Sequence, residues 1–263
     1  MTRWLSWIAA GMTLAIAHTA QAELRPHRAE YSLRLGSAAN ALRIGNAVQE
    51  LTLDCEAWHI RREVNAEAAL TPSLKVKVSS QLTGDEDRAG NAFQYRTLVV
   101  QNGVERKTRG SVRREGDAIR ATVETPDGTD DSTLPPSTLM PVAAVDSLVE
   151  ALAAGKTAFP LVMFAAEGSG EAFRFDVRSI PAEALPSTPP AETKVAVPSA
   201  RSWAVAMAVT RAGAADQKPL MTVRLQVFES GVLDRLVIDA GVVTVAAYLQ
   251  TLQMAEMPEC PRR

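Results

Sequence analysis

The stretch Leu51–Val64, LTLDCEAWHIRREV, organises the rest of the chain. It contains Cys55, one of two cysteines, so the partner in any intramolecular disulfide is Cys260 near the C-terminus. Up to residue 57 the apolar residues occupy odd-numbered positions and alternate with polar ones. From Trp58 onward the apolar residues occupy even-numbered positions. This change of parity predicts one strand with a bulge that kinks it near Trp58. A Cys55–Cys260 bond would join this early strand to the end of the chain.

The N-terminus has the features of a secretory signal peptide. Arg3 gives a basic start, an apolar run follows over residues 4–17, and Ala20-Gln21-Ala22 provides a small-x-small cleavage site. We expect cleavage after Ala22 and export to an oxidising compartment, where a disulfide is favoured over the alternative of two free thiols. No later stretch reaches the roughly 20 apolar residues that a membrane span needs, so we expect no transmembrane segment after cleavage.

Length and charge set broad limits. Removing the 22 predicted leader residues from 263 leaves 241, enough for one large β domain or two small ones, and we assign residues 23–263 to a single domain. The net charge is -2, and it becomes -3 when Arg3 is removed. This balance gives no reason to expect binding to nucleic acid.

Alternation of apolar and polar residues predicts strands through most of the chain. The clearest segments are 29–35, 47–54, 57–66, 74–82, 93–99, 104–114, 118–124, 159–165, 171–180, 203–209, 221–227 and 232–239. Gly45-Asn46 is expected to form a turn, and Asn102-Gly103 predicts a two-residue hairpin loop. Val242–Leu252 is apolar on both parities, which predicts a strand buried on both faces. Together these segments predict an all-β fold, in which about a dozen or more strands form an antiparallel sheet that curls or closes.

Two segments depart from this pattern. Residues 138–154 have apolar side chains at helical spacing, with Ser137 or Thr138 as the expected N-cap and Gly155 at the C′ position, so they predict the main helix. Pro181–Pro198 contains five prolines among small and polar residues. We expect it to be a solvated excursion without a strand or helix.

Four segments of the sequence resemble a family of periplasmic cell-envelope-integrity proteins of Gram-negative bacteria, named EipB. They are PHRAEYSL at 26–33, DCEAW at 54–58, the helix segment that begins STLMP at 137–141, and residues 248–260. The resemblance implies a long antiparallel sheet wound into a spiral, with an early and a late cysteine joined, here Cys55 and Cys260. It also implies a periplasmic location, a role in envelope maintenance under stress through other envelope proteins, and no catalysis.

Residues with catalytic or metal-binding chemistry are few. His27 and His59 are too few for a zinc site, and His59 is expected to be a solvated or hydrogen-bonded strand residue. Asp127–Ser132 lacks the spacing of a calcium loop and is expected to form a tight acidic turn. Ser169 lies between two glycines without the spacing of a nucleophile elbow, which indicates a turn. We therefore expect no catalytic residue, no cofactor and no bound metal.

A basic strip is the remaining candidate site. Glu105, Lys107, Arg109 and Arg113 share one face of a predicted strand, and Arg106 and Arg114 lie on the other parity. Such a strip is suited to anionic lipid head groups or to an acidic partner. The alternative is a solvated strand face whose charges discourage edge pairing.

Three functions are compatible with the sequence. The first is a non-catalytic periplasmic protein that maintains envelope integrity by binding another envelope protein through its curved, disulfide-linked sheet. The second is a carrier that holds the acyl chain of a lipid or lipoprotein in the concave face of the sheet. The third is a cell-wall hydrolase, for which the only support is the presence of carboxylate pairs such as Asp130 and Asp131. We favour the first.

Overall fold

The computed structural model describes residues 24–71, 74–167, 170–190, 192, 194–199, 201–213 and 218–261. The predicted signal peptide at 1–22 and the predicted turn residue Ser169 lie outside these ranges. The strands are β1 His27–Leu35, β2 Leu42–Leu53, β3 Ala57–Thr71, β4 Leu74–Asp87, β5 Ala92–Gln101, β6 Val104–Glu115, β7 Ala118–Thr125, β8 Gly128–Leu134, β9 Thr138–Leu139, β10 Ala158–Ala165, β11 Glu171–Ser179, β12 Ser202–Arg211, β13 Met221–Phe228, β14 Leu233–Asp239 and β15 Thr244–Met254. The helix α1 is Pro141–Ala153 and a 3₁₀ turn spans Ala182–Ala184.

All of these strands belong to one 15-stranded sheet, in the order β8-β7-β6-β5-β4-β3-β2-β1-β15-β14-β13-β12-β11-β10-β9. Neighbours are antiparallel except for the short parallel pair β9 and β10. The two edges, β8 and β9, are joined by only residues 135–137. Because four residue steps span at most about 14 Å, the edges must lie close together. The sheet is therefore curled into a nearly closed barrel, which confirms the predicted fold class.

The prediction of one kinked strand through Leu51–Val64 is wrong. The chain reverses at residues 54–56, and the register pairs Leu51 of β2 with Ile60 of β3. The carboxylate of Asp54 holds this turn by accepting hydrogen bonds from the backbone N–H groups two and three residues later, at 2.8 and 2.7 Å. The change of parity in the sequence therefore marks a reversal of direction and not a bulge.

Two predicted turns are also wrong. Gly45-Asn46 lies inside β2, where a Cβ atom on Gly45 would be only 1.9 Å from the backbone oxygen of Asn65. The close approach of the strands, and not a turn, explains this glycine. The acidic segment Asp127–Ser132 is mostly edge strand β8, paired with β7. The Asn102-Gly103 hairpin is confirmed, with positive φ at both residues. The assignment of a single domain stays a prediction.

The helix is shorter at its start than predicted. It begins at Pro141, because proline fits the first helical turn and disfavours a helical conformation in the preceding residue. Neither Ser137 nor Thr138 caps it, and the N-cap position, Met140, has no side-chain hydrogen bond to it. Gly155 does end the helix, with φ +81°. Among the described residues, no helix has both the length and the apolar character to cross a membrane.

The core contains an aromatic cluster on the inner face of the sheet. The ring centroids of Phe93 and Tyr95 are 5.5 Å apart, and that of Phe164 is 5.5 Å from Tyr95. The rings lie over two inward-facing glycines, since a Cβ on Gly84 or Gly110 would be 2.5 Å from an aromatic ring atom. These glycines make room for the rings that fill the interior.

The segment Pro181–Pro198 packs against the sheet more than predicted. In its described residues, which leave out 191 and 193, it has no strand and only a 3₁₀ turn, as expected. However, the Glu192 carboxylate forms an ion pair with Arg34 of β1 at 2.6 Å, and the two side chains are only 2% and 9% exposed. Tyr248 of β15 is also fully buried, and the charges of both residues act on it. The prediction of a strand buried on both faces is therefore confirmed for residues 246–249 of β15. It is wrong at Val242, which is 95% exposed and precedes the strand, and at Thr251, which is exposed.

Candidate functional site

An apolar cavity of about 460 Å³ lies inside the curled sheet. Its walls come from the inner faces of β1, β2, β3, β14 and β15 and from the first turns of α1. The apolar lining residues include Leu33, Leu51, Ile60, Val64, Val142, Val145, Leu233, Leu236, Ile238 and Val245. A concave site of this size with mostly apolar walls has the character of a small-molecule binding site.

The cavity has one ion pair in its lining. Arg62 lies on the inward parity of β3, between Ile60 and Val64. Its Nη1 donates to both carboxylate oxygens of Glu167, at 2.8 and 3.0 Å, and its Nε donates to the side-chain oxygen of Gln49 at 2.8 Å. Each charge therefore has its partner, and the pair links β3 to the loop after β10.

The other polar groups of the cavity are neutral. Burial lowers the pKa of His27, and a backbone hydrogen bond opposes this effect. His27 Nδ1 donates to the carbonyl of Arg25 at 2.8 Å, because a carbonyl can only accept. Burial also raises the pKa of Tyr31, whose hydroxyl donates to the carbonyl of Leu233 at 3.1 Å. The described lining thus offers no unpaired charge, which suits an uncharged, apolar ligand.

Glu86 positions the helical wall of the cavity. Its carboxyl oxygens, on strand β4, accept hydrogen bonds from the backbone N–H groups of Val142 and Ala143 at 2.7 and 2.8 Å. It therefore satisfies the N-terminus of α1 in place of an N-cap side chain. Burial raises the pKa of Glu86 to about 7, while the two backbone hydrogen bonds act in the opposite direction. The sequence analysis did not identify Glu86 as a site residue. A usable signal was present, because an acidic residue on the same strand face as Leu82 and Gly84 points into the core and needs a buried partner.

His59 joins two carboxylates on the outer face. Its Nδ1 is 2.6 Å from Asp85 and its Nε2 is 2.8 Å from Asp54. Two acceptors require two N–H donors, so the ring is an imidazolium. The hydrogen bonds that His59 donates, first to Asp85 and then to Asp54, raise the pKa of His59. The bond from His59 is also the main cause that lowers the pKa of Asp54 to about 2. The expected hydrogen-bonded histidine is confirmed, and it locks the β2–β3 turn onto β4.

The Cys55–Cys260 disulfide is present, with Cα atoms 5.5 Å apart and a sequence separation of 205. It attaches the C-terminal tail to the β2–β3 turn. The guanidinium of Arg88 lies at the same junction, 3.6 Å from the Cys260 sulfur and 3.4 Å from the carbonyl of Asp54. Closing a ring of about 200 residues stabilises the folded state by about 5 kcal/mol in the chain-entropy account, and measured values are commonly about 2–4 kcal/mol.

The remaining sequence candidates do not meet at one site. Lys107 and Arg109 line a groove on the outer face, and Glu105 pairs with Lys107 at 2.6 Å. Asp130 and Asp131 lie on the exposed edge strand β8, away from the apolar cavity. Within the described ranges, no group of three or more His, Cys, Asp or Glu side chains is placed to hold a metal ion.

Comparison with known proteins gives the family. The sequence matches the EipB-like family over residues 18–256. This chain belongs to the EipB-like family. The family resemblance inferred from the four sequence segments is thereby confirmed. No curated protein matched this EipB-like chain.

The fold of this EipB-like protein is similar to a solved structure. The crystal structure of a beta-barrel-like protein of the domain of unknown function DUF1849 from Brucella abortus aligns with a TM-score of 0.73. The alignment covers 89% of this chain and 100% of that chain, at 18% sequence identity. At this identity the similarity concerns the fold alone.

Proposed function

We propose that this EipB-like chain is a non-catalytic periplasmic protein that supports cell-envelope integrity by holding the acyl chain of a lipid or lipoprotein in its interior. The observation that supports this is the apolar cavity of about 460 Å³ inside the sheet. The sequence favoured a protein partner, but the cavity gives the carrier hypothesis a defined site.

The chemistry of the cavity matches an acyl chain. Branched apolar side chains line most of its wall, and the charges of Arg62 and Glu167 neutralise each other. An acyl chain needs no polar partner, and its burial is favourable by about 0.8 kcal/mol for each CH₂ group. Holding such a chain away from water is a binding function and requires no reactive group.

A displacement assay tests the carrier proposal. The exported protein is titrated with a dansyl-labelled fatty acid, and an unlabelled fatty acid is used as the competitor. Ala47 lines the cavity and pairs with Val64 across β2 and β3. We expect Ala47→Trp to fill the cavity and to weaken probe binding by about tenfold or more.

The matched control is Ala69→Trp, which adds the same side chain at an exposed position of β3. It should leave the affinity for the probe unchanged. Native mass spectrometry of gently purified protein supplies an independent measurement, since a carrier is expected to retain lipid. Absence of bound lipid together with no binding of the dansyl probe would contradict the proposal.

A second candidate function is binding of another envelope protein at the edge strand β8. Residues 128–133 of this strand are all exposed, and within the described part of the chain β8 pairs on one side only, with β7. An exposed edge of this kind can accept a strand from a partner. A photo-crosslinking residue at Asp130 should capture one partner in the periplasm, whereas the same residue at exposed Arg178 should not. Equal capture at both positions would reject a specific edge interaction.

A further inference from the structure

A second concave site lies on the outer face of the same sheet, across β3–β7. Its main part has a volume of about 680 Å³, within the range of small-molecule sites. An adjoining part of about 420 Å³ shares Thr83, Arg96, Arg109 and Glu124 with it. We call the two parts together the arginine groove.

Two arginines face each other in this groove. Arg96 of β5 and Arg109 of β6 are direct partners in the strand register, which places their Cβ atoms about 5 Å apart. Like charges in directly opposed positions destabilise a sheet. Neither guanidinium has an ion pair or a side-chain hydrogen bond among the residues that the structure describes. Arg109 also lies opposite Glu124 of β7 in the register, and Arg96 lies opposite Thr83 of β4. Both arginine side chains are exposed, so solvent reduces their repulsion, and a bound anion would relieve the part that remains.

Other basic residues of this surface have carboxylate partners. Arg61, Lys107 and Arg120 each have a carboxylate partner, at 2.6, 2.6 and 2.8 Å. The groove is lined by five arginine and lysine side chains, by His59 and by three acidic side chains, although the whole chain has a net charge of -2. Glu63 and Glu105 pair with two of these basic residues, Arg61 and Lys107. One of the three lining acids, Asp85, is already bound to His59. The groove is thus a local concentration of positive charge.

We propose that the arginine groove binds a soluble small molecule that carries a phosphate group. Two guanidinium groups on adjacent strands can contact one phosphate from two sides, each with parallel N–H donors. Thr83, opposite Arg96 in the register, and Ser111 provide hydroxyl donors in the same groove. Thr83 is exposed and Ser111 is half-buried, so both hydroxyls are accessible to a ligand in solution.

Calorimetric titration of the exported full chain with glycerol phosphate tests this site, with uncharged glycerol as the reference ligand. We expect the double variant Arg96→Gln/Arg109→Gln to lose about tenfold or more in affinity. The control variant Arg106→Gln/Arg178→Gln removes the same charge from exposed positions outside the groove and should stay within about twofold of the wild type.

A thermal melt separates loss of binding from loss of folding. Without ligand, Arg96→Gln/Arg109→Gln should melt close to the wild-type temperature, because loss of the repulsion between the two guanidinium groups and loss of the attraction between Arg109 and Glu124 offset each other. Equal binding of glycerol phosphate by the wild type and this variant would overturn the proposal. Binding to phosphatidylglycerol vesicles without binding to glycerol phosphate would also overturn it and would assign the face to a membrane surface.

Discussion

The inner and outer faces of the sheet form two chemically opposite sites that meet at strand β3. On β3, the inward residues Ile60 and Val64 line the apolar cavity, and the outward residues His59 and Arg61 line the arginine groove. The single arginine of the cavity is neutralised by Glu167, whereas Arg96 and Arg109 of the groove face each other. The contrast shows that a two-residue period can give the two faces of one strand opposite chemical character.

The disulfide is expected to stabilise both faces of the sheet. Its loss should lower the free energy of unfolding more than any other change proposed below. The double variant Cys55→Ser/Cys260→Ser should lower the free energy of unfolding by about 4 kcal/mol, because the unfolded chain is no longer constrained. Urea denaturation measures the change, and non-reducing gels should show a mobility shift only for the wild type. An unchanged urea midpoint would mean that the bond contributes little.

Glu86 should affect the inner site alone. Glu86→Ala removes the acceptor of one buried and one partly buried N–H group at the start of α1 and should cost about 3 kcal/mol in stability. The control Glu150→Ala, at an exposed position of α1, should stay within about 0.5 kcal/mol of the wild type. In Glu86→Ala, acyl-probe binding should weaken while glycerol phosphate binding persists. Equal loss at both sites would show that the two faces are coupled.

Adjacent residues of β6 allow a direct test of the difference between the faces. Gly110 faces inward, and a methyl group there would meet the packed ring of Tyr95 at 2.5 Å. Gly110→Ala should therefore cost about 2 kcal/mol through overpacking. Ser111→Ala, one residue further and on the outer face, should change stability by less than about 0.5 kcal/mol. Thermal denaturation compares the two, and equal effects would contradict the assignment of the faces.

His59 should give a small dependence of stability on pH. Its pKa is raised above 6.5 in the folded protein, so its contribution is fully present below that value and is lost as pH rises through the raised pKa. Because the side chain is 42% exposed, we expect less than about 1 kcal/mol. Melting temperatures at about pH 6 and about pH 9 should differ more for the wild type than for His59→Asn.

The comparison with His59→Asn is needed because Glu86 also makes the protein less stable as the pH rises. Its pKa is raised from 4.5 to about 7, so its contribution also decreases as pH rises through that interval. Both proteins retain Glu86, and the difference between their pH profiles therefore reports His59. Identical profiles would show that the two carboxylates hold the turn without help from the charge of the imidazolium.

Much of the fold was predictable because it depends on local patterns. The alternation of apolar and polar residues predicted most of the strands. Asn102-Gly103 predicted a hairpin, and Gly155 predicted the end of the helix. The errors in the predicted fold arose where one sequence pattern is compatible with two different structures. A change of parity at Trp58 is produced by a bulge or by a reversal, and only the pairing of Leu51 with Ile60 distinguishes them.

The candidate sites were less predictable than the fold. The basic strip was visible in the sequence, but only the register shows that Arg109 faces Arg96 on another strand. Likewise, Glu86 and Arg62 appeared as polar residues in strands, and their partners lie 56 and 105 residues away in the chain. Contacts over such separations depend on how the strands are ordered and curved, which a local pattern does not contain.

The sequence by itself determined which side chains share a face, because successive residues of a strand point to opposite sides. It also limited disulfide pairing to Cys55 and Cys260, because no other cysteines exist. Only the tertiary structure decided that one face encloses a cavity and the other forms a groove. The reason is that curvature comes from pairing β1 with β15 and from the short link between the sheet edges, and both involve the whole chain.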